Sequence, residues 1–239
     1  MADSETPRHE LLALYADLRV ADVRDGLDAM MQHRTGSMAH AIRPVWRTRA
    51  VGIARTVRYV PYAGAIPTLS PEEYAEWVGW YYREVCPYPW IGEIEDGDFC
   101  VIDQSGVDAG LMGSDNTMSG LRRGARGYVT NGGVRDTDEL ILQGVPFWSA
   151  FIAQSMVQGR LQFEAKDVPV TVGGVTVRPG DVVVADGDGV VVVPRDVAPD
   201  VARLAHAEHE RDKASRRKHY EALAIPPDAS LAPYEEKPQ

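Results

Sequence analysis

Gly124-Ala-Arg-Gly127-Tyr-Val-Thr-Asn-Gly132-Gly-Val-Arg135-Asp136-Thr-Asp-Glu139 is the stretch on which the fold turns. Gly127-Tyr-Val-Thr130 has the short apolar, β-branched character of a strand. Asp136-Thr-Asp-Glu139 carries the acids that open a helix, with Leu140 and Ile141 behind them. The chain therefore passes from strand to helix through Arg135-Asp136. Working outward, Phe99-Cys-Val-Ile102 reads as a buried strand, Gly110 to Asn116 as a loop, and Met118 with Leu121 as a short helix. Downstream, Pro146 to Ala153 reads as another strand. Strand and helix alternate here, and that order predicts parallel pairing with helical crossovers.

The flanks differ. Val170–Val172 and Val175–Val177 enclose Gly173-Gly174, a hairpin signal, and Pro179-Gly180 turns into Asp181–Asp186 before a glycine-rich turn and Val190–Val193. The expected fold class is thus α/β, with mixed parallel and antiparallel strands. Towards the start, Leu11, Leu14, Tyr15 and Leu18 recur at helical spacing, and a second helix is expected from Asp22, with Val23, Leu27 and Met30 on one face. Ile42 to Val60 is strand-like. Ser70-Pro-Glu-Glu73 predicts a capped helix start, with Tyr74, Trp77, Val78, Tyr81 and Val85 as its apolar face and Pro87 and Pro89 ending it. The aromatic set Trp77, Trp80, Tyr81 and Tyr82 reads first as packing against the body and second as a pocket wall. Val197 to Leu223 predicts a long polar helix, apolar mainly at Val201 and Leu204. The proline-bearing tail after Ile225 (Pro226, Pro227, Pro233, Pro238) is expected to be extended or disordered. The expected organisation is an N-terminal helical region over 1–37, a core over 38–196 with an aromatic helical elaboration at 62–95, and a C-terminal helix and tail over 197–239.

Composition narrows the function classes. The chain has 239 residues, 44% of them hydrophobic, enough for a substantial core. A net charge of −10 argues against a nucleic-acid partner. Cys86 and Cys100 form neither a disulfide framework nor a metal spacing. The polar, acidic start Met1-Ala-Asp-Ser-Glu-Thr-Pro does not read as a signal peptide, and no apolar run is long enough for a membrane span. A cytoplasmic location without a membrane partner is the expectation.

Two places can carry chemistry. At Arg135-Asp136 one reading is structural, with Asp136 as an N-cap and Glu139 completing a capping box. The other is functional: strand C-termini and helix N-termini collect anionic ligands, Gly132-Gly133 admits a close approach, an arginine grips a carboxylate, and an aspartate holds a hydrated Mg²⁺. Gly110-Leu-Met-Gly113-Ser-Asp-Asn116 is likewise a turn with a cap at Ser114 or Asp115, or an amide cradle for an anion. Asp186-Gly-Asp188-Gly189 reads as a hairpin turn, since it lacks the third acid and distal glutamate of a calcium loop. His206-Ala-Glu-His209 lacks the zinc-helix spacing and reads as surface. No glycine-rich nucleotide loop occurs. The lysines Lys166, Lys213, Lys218 and Lys237 all fall in polar or turn-like contexts, so no Schiff base is expected and carbon–carbon chemistry would need a metal.

The stretch Gly124 to Asp136 resembles the signature of the RraA-like family, which includes the divalent-metal-dependent 4-hydroxy-4-methyl-2-oxoglutarate/4-carboxy-4-hydroxy-2-oxoadipate aldolases. Ile42-Arg-Pro44, Gly173 to Asp181 and Asp186 to Pro194 are similar to its other recurring segments in the same order. The resemblance runs from about Leu18 to Glu210 and is weak between Tyr62 and Glu95. It implies a layered α/β–β sandwich with N- and C-terminal helices. It also implies a trimer or hexamer with sites between subunits. By this resemblance Arg135 binds the oxo acid, Asp136 anchors Mg²⁺ or Mn²⁺ mostly through water, and the backbone of Gly113, Ser114, Asp115 and Asn116 holds the substrate. Glu208 or Glu210 of an adjacent subunit would approach the metal waters. Asp115, Glu208 and Glu210 are the candidates for moving a proton. There are two departures. Ser114 stands where the aldolases usually have an acid, with Asp115 beside it, and Asn131-Gly132 replaces a frequent Asp-Gly. The implied activity is lyase cleavage of a 4-hydroxy-2-oxo acid to pyruvate or a related 2-oxo acid, with oxaloacetate decarboxylation through the same enolate. The alternative is a non-catalytic regulator that binds a ribonuclease E-type protein.

Overall fold

The structure is a computed structural model in which residues 6–231 are described. The expectations for the acidic start at Met1 and for the tail beyond Leu231 lie outside them. Nine strands form one mixed sheet. In chain order these are β1 (Arg43–Pro44), β2 (Ala50–Pro61), β3 (Asp98–Asp103), β4 (Gly110–Met112), β5 (Ala125–Val134), β6 (Phe147–Ile152), β7 (Leu161–Lys166), β10 (Val182–Asp186) and β11 (Gly189–Val193). The main path runs β1-β6-β5-β3-β2-β10-β11, with β4 added to β5 and β7 to β2. The centre, β2-β3-β5-β6, is parallel, as the strand–helix alternation predicts. The β10–β11 hairpin and β7 join β2 antiparallel. β8 (Val170–Val172) and β9 (Val175–Val177) form the separate hairpin turned by Gly173-Gly174.

The valine runs of β10 and β11 are buried on both faces. Val182, Val184, Val191 and Val193 meet the terminal helices α1 (Arg8–Tyr15), α2 (Val20–Ala29) and α6 (Ala198–Leu223). Val183, Val190 and Val192 meet the β8–β9 hairpin, together with Phe99, Val129 and Trp148. This period of two, apolar both ways, explains why the segment reads as a run rather than an alternation.

Several local expectations change. Ile42 to Val60 is not one strand: β1 ends at Pro44 and β2 starts at Ala50. α2 begins at Val20, so Asp22 is its third residue and reaches back to the Arg19 N–H. On α6 the residues facing the core are Val201, Ala202 and Ala205, followed by His209 and Lys213, which are buried rather than on the surface. Packing of α6 against α2 overrides the polar pattern. His209 Nδ1 lies 2.9 Å from Asp22 Oδ2, and Lys213 pairs with Glu210 at 3.1 Å.

The aromatic segment divides. The helix α3 (Pro71–Trp80) starts as predicted: Ser70 accepts from the Glu73 N–H, and the Glu73 carboxylate accepts from the Ser70 N–H. It buries none of its own residues. It then widens into a π-helical turn, Tyr81–Val85, closed by the Cys86 N–H donating to the Tyr81 carbonyl. That turn drives Tyr81 fully into the core, where its hydroxyl donates to the Leu161 carbonyl at 2.7 Å. Trp90 is buried beside it and donates to the Tyr59 hydroxyl.

Candidate active site

β4 and β5 are parallel neighbours, with Gly110 opposite Gly133 and Met112 opposite Val134. They end side by side. β4 runs through Gly113 into α4 (Ser114–Leu121), and β5 runs through Arg135-Asp136 into α5 (Thr137–Leu142). Two strand ends and two helix starts thus converge on one edge, where α/β sheets bind ligands. The stretch Gly110 to Asn116 is therefore a short strand and a helix start, not the loop expected. Gly132-Gly133 likewise lies inside β5, and not in a ligand loop. A Cβ on Gly133 would collide with Ala153 and the Ala109 carbonyl, so glycine there serves close strand packing.

Asp136 decides between the two readings of its pair. Asp136 occupies the N-cap position of α5, but its backbone is left-handed, φ 57°, and its side chain makes no cap bond there, so the side-chain capping and capping-box part of that reading fails. The Oδ2 atom instead accepts from the Ser114 N–H at 3.2 Å, at the start of the neighbouring helix. Arg135 Nε stands 3.6 Å from the same oxygen, too long for a hydrogen bond. Both side chains are about one third exposed, at 34% and 33%. Gly113 makes this crossing possible: a Cβ there would strike Asp136 Oδ2. Helix geometry leaves the Asp115 and Asn116 N–H groups without carbonyl partners inside α4, the first closed bond being Thr117 N–H to Gly113.

Gly113, Asp115, Asn116, Arg135 and Asp136 line a single cavity of about 370 Å³. Ser114, expected to hold substrate through its backbone, does not line this cavity; its N–H is taken up by Asp136. The sequence expectations omit Tyr88, and Tyr82 enters them only as packing or a pocket wall; both line the same cavity, as do Gly110 and Leu111 from the candidate anion cradle. The available signal for Tyr88 is its place between Pro87 and Pro89, outside any helix. Its hydroxyl donates to the Leu111 carbonyl at 2.8 Å. Burial pushes this phenol well above its ordinary value, against a smaller downward pull from the Arg135 charge. Glu208 and Glu210 do not line this cavity within their own chain; on α6, Glu208 pairs with Arg211 and Glu210 with Lys213. The Lys213 hydrogen bond holds the Glu210 carboxyl below its usual value.

Asn131, the departure from Asp-Gly, is structural. Its Oδ1 accepts from the Gln104 N–H at 2.7 Å while its Nδ2 donates to Asp103 Oδ1 at 2.8 Å and to the Thr171 carbonyl at 3.1 Å. An aspartate there could not donate. No trio of His, Cys, Asp or Glu close enough to cage a metal exists among the described residues. Asp136, with Asp115 in the same cavity, fits instead a hydrated hard cation. Such an ion keeps several waters and takes one or two carboxylates. Among the described residues no helix is long and apolar enough to cross a membrane.

Known proteins resemble this chain in sequence and fold. A Legionella pneumophila protein named DlpA is 27% identical over 193 residues, 80% of this chain but 28% of that protein. A Deinococcus radiodurans protein named "Putative 4-hydroxy-4-methyl-2-oxoglutarate aldolase" is 40% identical over 98 residues, 41% of this chain. The match spans 61% of that relative's own length. The solved structure of Streptomyces coelicolor RraAS2, described as an unusual member of the RNase ES inhibitor RraA protein family, superposes with a TM-score of 0.70 at 28% identity. That match covers 88% of this chain and 97% of RraAS2. The sequence profile described as RraA-like, Aldolase/RraA, matches residues 20–192, most of the chain. The chain belongs to the RraA-like family.

Proposed function

We propose that the protein is a divalent-metal-dependent carbon–carbon lyase that cleaves a 4-hydroxy-2-oxo acid to pyruvate or a related 2-oxo acid. The observation that carries this reading is the Asp136 carboxylate, turned away from capping its own helix and held in one cavity with Arg135 and the open amides of α4. The Asp115 and Asn116 N–H groups, at the positive end of α4, and the Arg135 guanidinium would bind the substrate carboxylate and 2-oxo oxygen. Asp136 would hold Mg²⁺ or Mn²⁺, which supplies Lewis-acid polarisation of the 2-oxo group when bound.

A base takes the proton of the 4-hydroxyl, with the Asp115 carboxylate as the candidate within the chain and Glu208 or Glu210 as candidates from an adjacent copy in a trimer or hexamer. The C3–C4 bond breaks, C4 becomes a carbonyl, and the electron pair passes to the enolate of the 2-oxo acid. Arg135 offsets the charge that develops on the enolate oxygen. Protonation at C3 completes pyruvate. Loss of CO₂ from oxaloacetate yields the same enolate, so decarboxylation is an expected second activity. The test is pyruvate release from a panel of 4-hydroxy-2-oxo acids and oxaloacetate, with Mg²⁺ and with chelator. Release that is unchanged by chelation or by Asp136→Ala would sink the mechanism.

The second reading is a non-catalytic regulator binding a ribonuclease E-type protein. It is favoured by the likeness to RraAS2 and by the net charge of −10. The free capacity of Asp136 favours the enzyme. A pull-down with ribonuclease E alongside the lyase assay separates the two.

A further inference from the structure

The cavity around Arg135 is larger than a three-carbon oxo acid, and its remaining wall is aromatic. Tyr82 and Tyr88 line it, with ring centroids 6.2 Å apart and planes inclined at 36°. Tyr82 sits on the π-helical turn directly after Tyr81, whose burial anchors that turn in the core. Tyr88 is fixed from the other side by its hydrogen bond to Leu111, so its one hydroxyl proton is already given and a carboxylate would gain no hydrogen bond from it.

The charges of the cavity are also uneven. Among the described residues lining it, Arg135 is the one cation, beside two carboxylates, Asp115 and Asp136. A substrate with a single carboxylate uses Arg135 and the α4 amides fully. A second carboxylate on C4 would find no second basic side chain among the described residues lining this cavity and would face Asp115. Arg122 lines a separate hollow with Met118 and Gln143, which shares Asp115 with this one.

We propose that Tyr82 and Tyr88 form the specificity wall of this site and select 4-hydroxy-2-oxo acids whose C4 carries an uncharged aromatic group, over those carrying a second carboxylate. This rests on the lyase reading above. Cleavage would release pyruvate and an aromatic aldehyde or ketone, with no redox change: the 4-hydroxyl loses its proton, the C3–C4 pair becomes the enolate, and C3 regains a proton.

The experiment uses the full chain with Mg²⁺ and two independent readouts. The first is kcat/KM for pyruvate release from 4-hydroxy-2-oxo-4-phenylbutanoate, 4-hydroxy-4-methyl-2-oxoglutarate and oxaloacetate. The second is calorimetric affinity for the uncleavable pair 2-oxo-4-phenylbutanoate and 2-oxoglutarate. The phenyl compound should lead by about fivefold in both, the fold-change that ~1 kcal/mol from pairing a ring with the aromatic wall produces. Tyr82→Arg should reverse the preference, mainly through KM, and Tyr82→Leu should narrow it; thermal melts establish that each variant is folded. A wild-type preference for the dicarboxylates, or a ratio unmoved in both folded variants, overturns the proposal. If no compound yields pyruvate, the lyase reading fails, while the two binding constants still decide whether the tyrosine wall selects an aromatic group.

Discussion

Two arginine–aspartate pairs sit in very different company in this fold. Arg19 and Asp22, at the start of α2, form a closed unit: the Asp22 side chain is 2% exposed and accepts hydrogen bonds from the Arg19 N–H, Nε and Nη2. His209 from α6 approaches the same carboxylate without hydrogen-bond geometry. Arg135 and Asp136 are adjacent in sequence yet make no hydrogen bond to each other, and Asp136 accepts one backbone N–H. Buried carboxylates that are saturated by their own chain hold structure. A carboxylate that keeps open lone pairs beside unpaired amides can hold a ligand.

The contrast breaks most decisively at Asp136. Asp136→Ala should lower metal-dependent pyruvate release by about a thousandfold, the scale of losing a central electrostatic group. Its melting temperature should fall only modestly, through loss of the Ser114 N–H bond and alanine at a left-handed position, because this side chain makes no cap bond to α5. A large stability loss with activity per folded molecule preserved would reverse the assignment.

At the other pair the effect should be thermodynamic. Asp22→Ala removes the carboxylate shared by Arg19 and His209 at the α2–α6 contact, leaving Arg19 with Asp212, and should cost on the order of 2 kcal/mol in denaturant unfolding. Activity of the folded fraction should be unchanged, and a specific loss of kcat there would blur the distinction.

A smaller effect sharpens it. Gly113→Ala pushes a methyl group into Asp136 Oδ2 while its own backbone, φ −148°, tolerates any residue. Metal affinity should fall roughly tenfold, as for other groups that orient a ligand, with little change in stability. Equal loss of both would mean that the crossing is only structural.

The smallest effect is pH dependence. Burial alone would raise the Asp22 carboxyl, but hydrogen bonds from the Arg19 side chain and backbone, with the Arg19 and His209 charges, outweigh it and leave the group below its ordinary value. Such a carboxylate adds stability above its unfolded pKa of about 3.9, and that contribution is lost as pH falls through the lower folded value. Asp22→Asn should therefore flatten the acid limb of stability below about pH 4. An acid limb identical to wild type would show that Asp22 holds no such advantage in the fold.

The legible part of the fold followed local rules. Glycine pairs, valine runs and the Ser70 capping box specify their turns, strands and helix start within a few residues. The parallel centre was legible from element order, and the Arg135-Asp136 segment from its place between a strand and a helix. Less visible were Tyr82 and Tyr88, which come from a segment some fifty residues upstream of Arg135 and meet it only through the π-helical turn. His209 and Lys213 look like surface residues on a polar helix until α2 is laid against them.

Taken alone, the sequence determined the order of elements, the family signature and which residue types the proposed oxo-acid and metal site would draw on. Only the tertiary structure decided which way Asp136 faces. A strand end followed by an acid and a helix can always be an N-cap. The choice depends on whether a neighbouring helix start, brought alongside by β4–β5 pairing, offers the carboxylate a better donor. That is a long-range contact, and no local pattern encodes it.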